Sequence, residues 1–585
     1  MPPLRIVLVL IAILTSTAMA DTHPLGIAIL DGRGLPGNSD AFTSEMVDVK
    51  GQPFPRALRL TTLKPPQYDW AQQLIVPTVE PVTKGDVLLA TFYARAERGQ
   101  AETGEARTAL IFERSGEDYE KSIEQGIGVG PEWRRIDLPF VARASYGPGA
   151  AQLCLRLGYG PQAIDVGGLT VTNYGSTRQL ADLPRTSFWY EGHEADAAWR
   201  QPALDRIERL RKADLTVTVT DAAGQPVPGA TVRVRQQRHA FGFGTAMVMG
   251  RLVDTATDPD SVRYREVVDR YFNKAVTEND LKWFAWADPA KRQTTLAGLR
   301  WLKDRGFSVR GHVLVWPGWS NLPKEYKGLP ADELRRRIDA HVVDEVNGTR
   351  GLVDEFDVVN ESYSNRDVLD ILGRDEMVRW FKLARDANPD IKLFYNDYTM
   401  LSGGARNEAG IAHYFDTARF LLDRGAEVDG FGEQAHMGGA PTPPQRVLDL
   451  LDRFAELGRP QQITEFDVNT TDEQVQAAYV RDFYTAAFSH PNVEAILMWG
   501  FWARQHWLPD AALWRADWSI KPGGQAYVDL VTKTWWTDAT LTTDANGVAT
   551  VRAFLGQHEV TVGDDIQPVS LTRDGAAITA RLGAP

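Results

Sequence analysis

Between about residues 240 and 536, short apolar runs alternate with stretches whose apolar positions recur at helical spacing. Runs at 243–248, 274–277, 309–315, 356–360, 392–395, 430–434, 462–466 and 495–499 read as strands buried on both faces. Stretches such as 334–346, 408–424 and 445–457 read as the helices between them. Eight such units over about 300 residues predict a (β/α)8 TIM barrel. A doubly wound open sheet competes with it, but no glycine-rich phosphate loop follows any of the runs.

The flanks have a different texture. Residues 21–185 show period-two alternation, as at 87–93, 135–140 and 153–157, and predict an N-terminal β-sandwich or jelly roll. Residues 186–239 read as a connecting helix and a β-arm. Ala195, Ala198, Leu204, Ile207 and Leu210 mark the helix, and alternating strands at 215–219 and 230–234 flank a Gly/Pro turn. Residues 537–585 repeat that β texture. An isolated hairpin is marginal in water, so this C-terminal segment is expected to pack with 213–236 as one small accessory β domain outside the barrel, which then spans 240–536.

Composition narrows the class. A chain of 585 residues divides into two to four domains. The net charge of −13 weighs against nucleic acid or an anionic membrane surface as partner. At the start, Arg5, the apolar run 6–14 and Ala18-Met19-Ala20 fit a secretory signal peptide over residues 1–20, cleaved after Ala20. Cys154 is the only cysteine and sits in an alternating strand, where it is expected to be a buried small hydrophobe. An exported chain without disulfides points to a bacterial periplasm or exterior.

Chemistry concentrates at the predicted strand ends. Val358-Val359-Asn360-Glu361 and Ile463-Thr464-Glu465 are apolar runs that each finish in a carboxylate. In a TIM barrel such ends share one rim, where Glu278, Asn279, Lys282, His312, Asn396, Asp397, Gln434, His436, Asp467, Trp499 and Trp507 also fall. Two carboxylates in a Trp-walled cleft are what glycoside hydrolysis needs. His312 and His436 beside acids are also raw material for a metal site. No short His pair accompanies them, so neither a metal nor an organic cofactor is expected. Asn360-Glu361-Ser362 is formally a glycosylation sequon, and a glycan there would block the proposed cleft.

Six motifs in order then carry a resemblance: Thr277-Glu278-Asn279 to Lys282-Trp283, Arg310-Gly311-His312 to Val315-Trp316, Asp357 to Glu361, Gly430 to His436, Ile463 to Asp467, and Trp499-Gly500 with Trp507. Together they resemble glycoside hydrolase family 10, the endo-β-1,4-xylanases. The resemblance implies a retaining mechanism on xylan or xylo-oligosaccharides, with Glu361 as acid/base and Glu465 as nucleophile. It implies that Asn360 serves the sugar 2-hydroxyl, and that Glu278, Asn279, Lys282, His312, Trp316, Gln434, Trp499 and Trp507 hold the two sugars on the non-reducing side. His436, with Asp467 behind it, is read as the partner that keeps Glu465 ionised. The N-terminal part looks like the carbohydrate-binding modules often joined to polysaccharide hydrolases. Tyr68, Trp70 and Trp133 could form its platform, although core positions are the simpler expectation. Two places depart from the family pattern: Trp319 stands where a Gln usually bonds a sugar, and Trp502-Ala503-Arg504 replaces a more polar triplet. The alternatives are a barrel hydrolase acting on another β-1,4-glycan or on aryl xylosides, and a carbohydrate-binding protein that has lost activity.

Overall fold

The computed structural model describes residues 27–28, 38–100, 103–116, 118–253 and 258–582. The expected signal peptide and the first part of the N-terminal module lie outside these residues. Two compact units divide near Trp189 and Tyr190.

In the first unit two antiparallel sheets pack face to face. One runs Phe42–Asp48, Arg56–Thr62, Gln162–Asn173, Val87–Arg98, Arg134–Val141; the other runs Gln73–Pro77, Ala151–Arg156, Ala106–Arg114, Lys121–Val129. Leu88, Ala90 and Phe92 from one sheet meet Leu110, Phe112, Leu153 and Leu155 from the other, which is the sandwich the alternation predicts. Cys154 points to the opposite face from Leu153 and Leu155. It is buried with Ala109 and Ile111, and burial pushes its thiol well up, so it packs as an inert hydrophobe. The aromatic residues fall differently from the core expectation. Tyr68 and Trp70 are each 51% exposed on a short 3-10 turn and stack on one another, ring centroids 5.2 Å apart and 9° from parallel. Trp133 is half-buried instead, edge-on to Phe54 and under Arg95, and does not join them.

The second unit opens with a helix, α1 (Arg200–Leu210), which buries Ala203 and Ile207. It starts after Ala195 and Ala198, which the pattern had included, and Leu204 lies on its open side. Strands on either side of the barrel then pair. Lys212–Thr220 lies between Val548–Phe554 and Ala576–Arg581, and Thr231–His239 lies between Asp538–Thr542 and Gly556–Val562. Leu215, Val217, Val219, Val232, Val234, Val560 and Val562 form their shared core.

Between them, eight parallel strands close into a barrel among the described residues: β1 (Gly242–Met247), β2 (Lys274–Thr277), β3 (Ser308–Gly311), β4 (Glu355–Asn360), β5 (Lys392–Asp397), β6 (Gly430–Glu433), β7 (Gln461–Val468) and β8 (Val493–Met498). β8 pairs back onto β1, which rules out the open sheet. β3 stops at Gly311, earlier than its apolar run suggested, because the chain bends there and only Val315 returns to bridge Val359. Three of the helices start at a capping side chain, Asp258, Asp288 or Asn407. Asp288 accepts from the amides of Ala290 and Lys291, with Pro289 at the first helical position.

The barrel interior is polar near its floor. Arg310, fully buried on β3, reaches both carboxylate oxygens of Asp357, Glu355 Oε1 at 3.1 Å and Gln462 Oε1 at 3.2 Å. Lys274 sits 2.9 Å from Glu355, and the Gln462 amide donates to Glu355 Oε2 at 3.0 Å. Burial opposes ionisation of Glu355, but Lys274 and Arg310 outweigh it and bring its carboxyl down to about 2. Asp357 also holds His312 Nδ1 at 2.9 Å, so this column of charge runs from the floor to the upper rim.

Candidate active site

Glu361 follows the last residue of β4, and Glu465 lies within β7; both are almost fully buried. Glu361 has φ 54°, a left-handed conformation that costs a non-glycine residue of order 1–3 kcal/mol and marks functional turns. Its amide donates to Asn396 O at 3.0 Å and its carbonyl accepts from Asn365 N at 2.9 Å. That tight turn brings Asn365 back beneath the carboxylate.

The two carboxylates have different neighbours. Glu361 is held by amides: Gln434 Nε2 at 2.9 Å and Asn360 Nδ2 at 3.2 Å on Oε1, Asn365 Nδ2 at 3.0 Å on Oε2. Glu465 accepts from Asn396 Nδ2 at 2.8 Å and lies 3.3 Å from His436 Nε2, with His312 Nδ1 at 3.9 Å. His436 Nδ1 in turn meets Asp467 at 3.1 Å, and Trp507 Nε1 donates to the same Asp467 oxygen at 2.8 Å. Burial disfavours charge on the His436 ring, but Asp467 and Glu465 outweigh it and push it up to about 10. The two acids thus favour the charged form of the ring that lies between them. Asn396 links the two halves, because its amide also donates to Asn360 Oδ1 at 2.9 Å.

A second group lines the wall. Lys282 donates to Asn279 at 2.9 Å, and its ammonium lies 5.3 Å from the Trp316 ring and 5.8 Å from that of Trp499. Burial pulls Lys282 down and raises Glu278 to about 7, the latter against the pull of Lys282. The Trp499 ring packs edge-on to His312, with centroids 5.1 Å apart. His312 Nε2, Trp316 Nε1 and Gln434 Oε1 are buried without a hydrogen-bond partner among the described residues. Buried polar groups left open in this way suit the hydroxyls of a bound sugar. Among the described residues no group of three or more His, Cys, Asp or Glu side chains is placed to hold a metal.

The structure thus places Glu361, Glu465, Asn360, Gln434, His436, Asp467, Trp507, Trp499, His312, Trp316, Lys282, Asn279 and Glu278 at one end of the barrel. A cavity of about 890 Å³ opens at the opposite end, lined by Lys274, Ser308, Glu355, Lys392 and Gln462, away from these groups. Asn396 and Asn365 contact the carboxylates directly; the sequence placed Asn396 on the rim without a role and did not point to Asn365. Asn396 carried a signal, as a polar strand end aligned with the others; Asn365 lay in an unpatterned turn. Trp319 is half-buried on a turn whose Asn321 bonds Asn365 at 3.2 Å, so its neighbourhood reaches Glu361 through one side chain.

A sequence model of glycosyl hydrolase family 10 matches residues 234–530, just over half of the chain. The anti-sigma-I factor RsgI6 of Acetivibrio thermocellus is 30% identical over 369 residues, which is 62% of this chain and 46% of that protein. Endo-1,4-beta-xylanase 1 of Arabidopsis thaliana is 28% identical over 361 residues, 61% of this chain and 37% of that one. The chain thus spans less than half the length of these two relatives. The solved xylanase 10B from Thermotoga petrophila RKU-1 in complex with xylobiose is 26% identical, covers 50% of this chain and 95% of its own, and superposes with a TM-score of 0.45. The match over the barrel shows that the chain belongs to glycosyl hydrolase family 10.

Proposed function

We propose that this chain is an exported endo-1,4-β-xylanase that cuts internal bonds of xylan with retention, Glu465 acting as nucleophile and Glu361 as acid/base. The contrast between the two carboxylates carries the reading. Glu465 faces His436, which its neighbours pull toward the charged form an attacking carboxylate requires, whereas the side-chain amides of Gln434, Asn360 and Asn365 reach Glu361, neutral donors beside a group that must carry and return a proton. In the first step Glu465 bonds to the anomeric carbon, the glycosidic C–O bond breaks, and the Glu361 proton goes to the leaving oxygen. In the second, water gives its proton to Glu361, its oxygen bonds to the anomeric carbon, and Glu465 leaves. Asn360 serves the 2-hydroxyl. The open atoms of His312, Trp316 and Gln434, together with Lys282, Asn279, Glu278, Trp499 and Trp507, hold the non-reducing sugars.

Xylanases among the relatives support xylan as the substrate, and the expected signal peptide supports export to the periplasm or exterior. Azide tests the assignment. With an activated aryl xylobioside, Glu361→Ala should yield the β-glycosyl azide after two inversions and Glu465→Ala the α-azide after one. The α product from Glu361→Ala, or near-native xylan hydrolysis by both variants, refutes it.

A further inference from the structure

Behind Glu361, on the side away from Glu465, lies a buried chain of hydroxyls that the reaction above does not use. The left-handed turn at Glu361 sends the next side chain, Ser362, outward between β5 and the helix Glu408–Asp423. Ser362 is 2% exposed, and its Oγ lies 2.7 Å from Tyr395 Oη and 3.2 Å from His413 Nε2. Tyr395 Oη donates its single proton to Asp397 Oδ2 at 3.2 Å, so it accepts from Ser362. Ser362 Oγ is then left to accept from His413. Asp397 is fixed by the Thr399 amide at 3.1 Å, and the Tyr414 ring packs against Tyr395 with centroids 5.0 Å apart. The hydrogen bonds therefore run in one direction, from His413 through Ser362 and Tyr395 to Asp397.

Glu361 itself is bonded through its amide to Asn396 and through its carbonyl to Asn365, both toward the cleft. Ser362 is the anchor on the outer side of the same turn. A strained residue keeps its conformation only when its surroundings over-determine it, and these are the contacts that do so. We propose that Ser362, with Tyr395 and Asp397 behind it, is a positioning unit that aims the Glu361 carboxyl at the leaving oxygen. The proposal rests on the reading of Glu361 as the proton donor.

The test uses the full chain and two aryl β-xylobiosides, one releasing phenol and one releasing dinitrophenol. Only the first needs a proton on its leaving group. Since kcat/KM reports the step that breaks the glycosidic bond, Ser362→Ala and Tyr395→Phe should lower it about tenfold or more for the phenyl substrate and by less than about threefold for the dinitrophenyl one. Equal losses on both substrates, or no loss on either, overturn the proposal in favour of plain packing. Tyr395→Phe removes one oxygen and keeps the ring, so it reads the effect if Ser362→Ala does not fold. Failure of both variants to fold also overturns it. Glu361→Ala is the reference: if it shows no dependence on the leaving group, the acid assignment itself falls and this proposal with it.

Discussion

Replacing Arg310 with Met should unbalance the barrel interior in a way that pH can read. The guanidinium is wholly buried and bonds Asp357 twice, Glu355 and Gln462. Met keeps much of the volume but leaves Asp357 with His312 alone, and Glu355 with Lys274 and Gln462. Removing one partner of a buried ion pair costs about 3–5 kcal/mol. At roughly 2 °C per kcal/mol for a domain of this size, the barrel's Tm at pH 7 should fall by about 6–10 °C. Glu355 supplies an independent check. Its carboxyl lies at about 2 in the folded protein against an ordinary 4.5, a gap worth about 3 kcal/mol. The sign follows from the depressed value: this stability is present above pH 4.5 and is lost as pH falls through 2. In Arg310→Met the pull on Glu355 is weaker, so the folded variant takes up a proton there earlier and recovers part of its penalty. Calorimetric unfolding at pH 7, 5 and 3.5 should therefore show a Tm difference that is largest at pH 7 and shrinks toward 3.5. A difference below about 2 °C at pH 7, or one that grows on acidification, would refute the account.

Two further outcomes follow from the surface of each unit. Trp319→Gln should change the preference among short xylo-oligosaccharides and leave an activated aryl xylobioside hydrolysed at a similar rate, measured by product analysis; a uniform loss on all substrates would mean that its turn acts through Asn365 on Glu361. Tyr68→Ala combined with Trp70→Ala should reduce retention of the full chain on insoluble xylan by about tenfold and spare soluble oligosaccharide hydrolysis, since stacking on an aromatic ring is worth about 0.5–1.5 kcal/mol; unchanged retention would leave this pair without a sugar-binding role.

The barrel was legible because its strands are buried on both faces and its helices on one, and those two periods are distinct in a sequence. The rim was legible because Asn, Gln, His and Trp recur at strand ends where solvent alone would favour Lys or Arg. What escaped depends on three-dimensional turns. Asn365 reaches Glu361 only because of the left-handed residue at 361, which no side-chain pattern announces. Arg310, Glu355 and Lys274 sit inside the barrel floor, where a strand buried on both faces gives no clue to which charges are paired. For Tyr68 and Trp70 a core position was the simpler of two expectations, on hydrophobicity, and the structure exposes both. A polar side chain, Asp69, ties their turn to Arg156 at 3.2 Å and keeps both rings outside.

The small β domain has a consequence for how this protein is made. Strands Lys212–Thr220 and Thr231–His239 find their sheet partners only in Asp538–Thr542 and beyond, after the entire barrel. A ribosome adding about 5–20 residues each second takes roughly 15–60 s to deliver the missing partners. For that interval two alternating strands present unpaired edges, with Val217, Val219, Val232 and Val234 uncovered. The strands that follow the barrel therefore cover an exposed aggregation hazard left by the strands that precede it. A translation pause or truncation before Asp538 should send the nascent chain toward chaperones or inclusion bodies, even though the barrel ahead of it is complete.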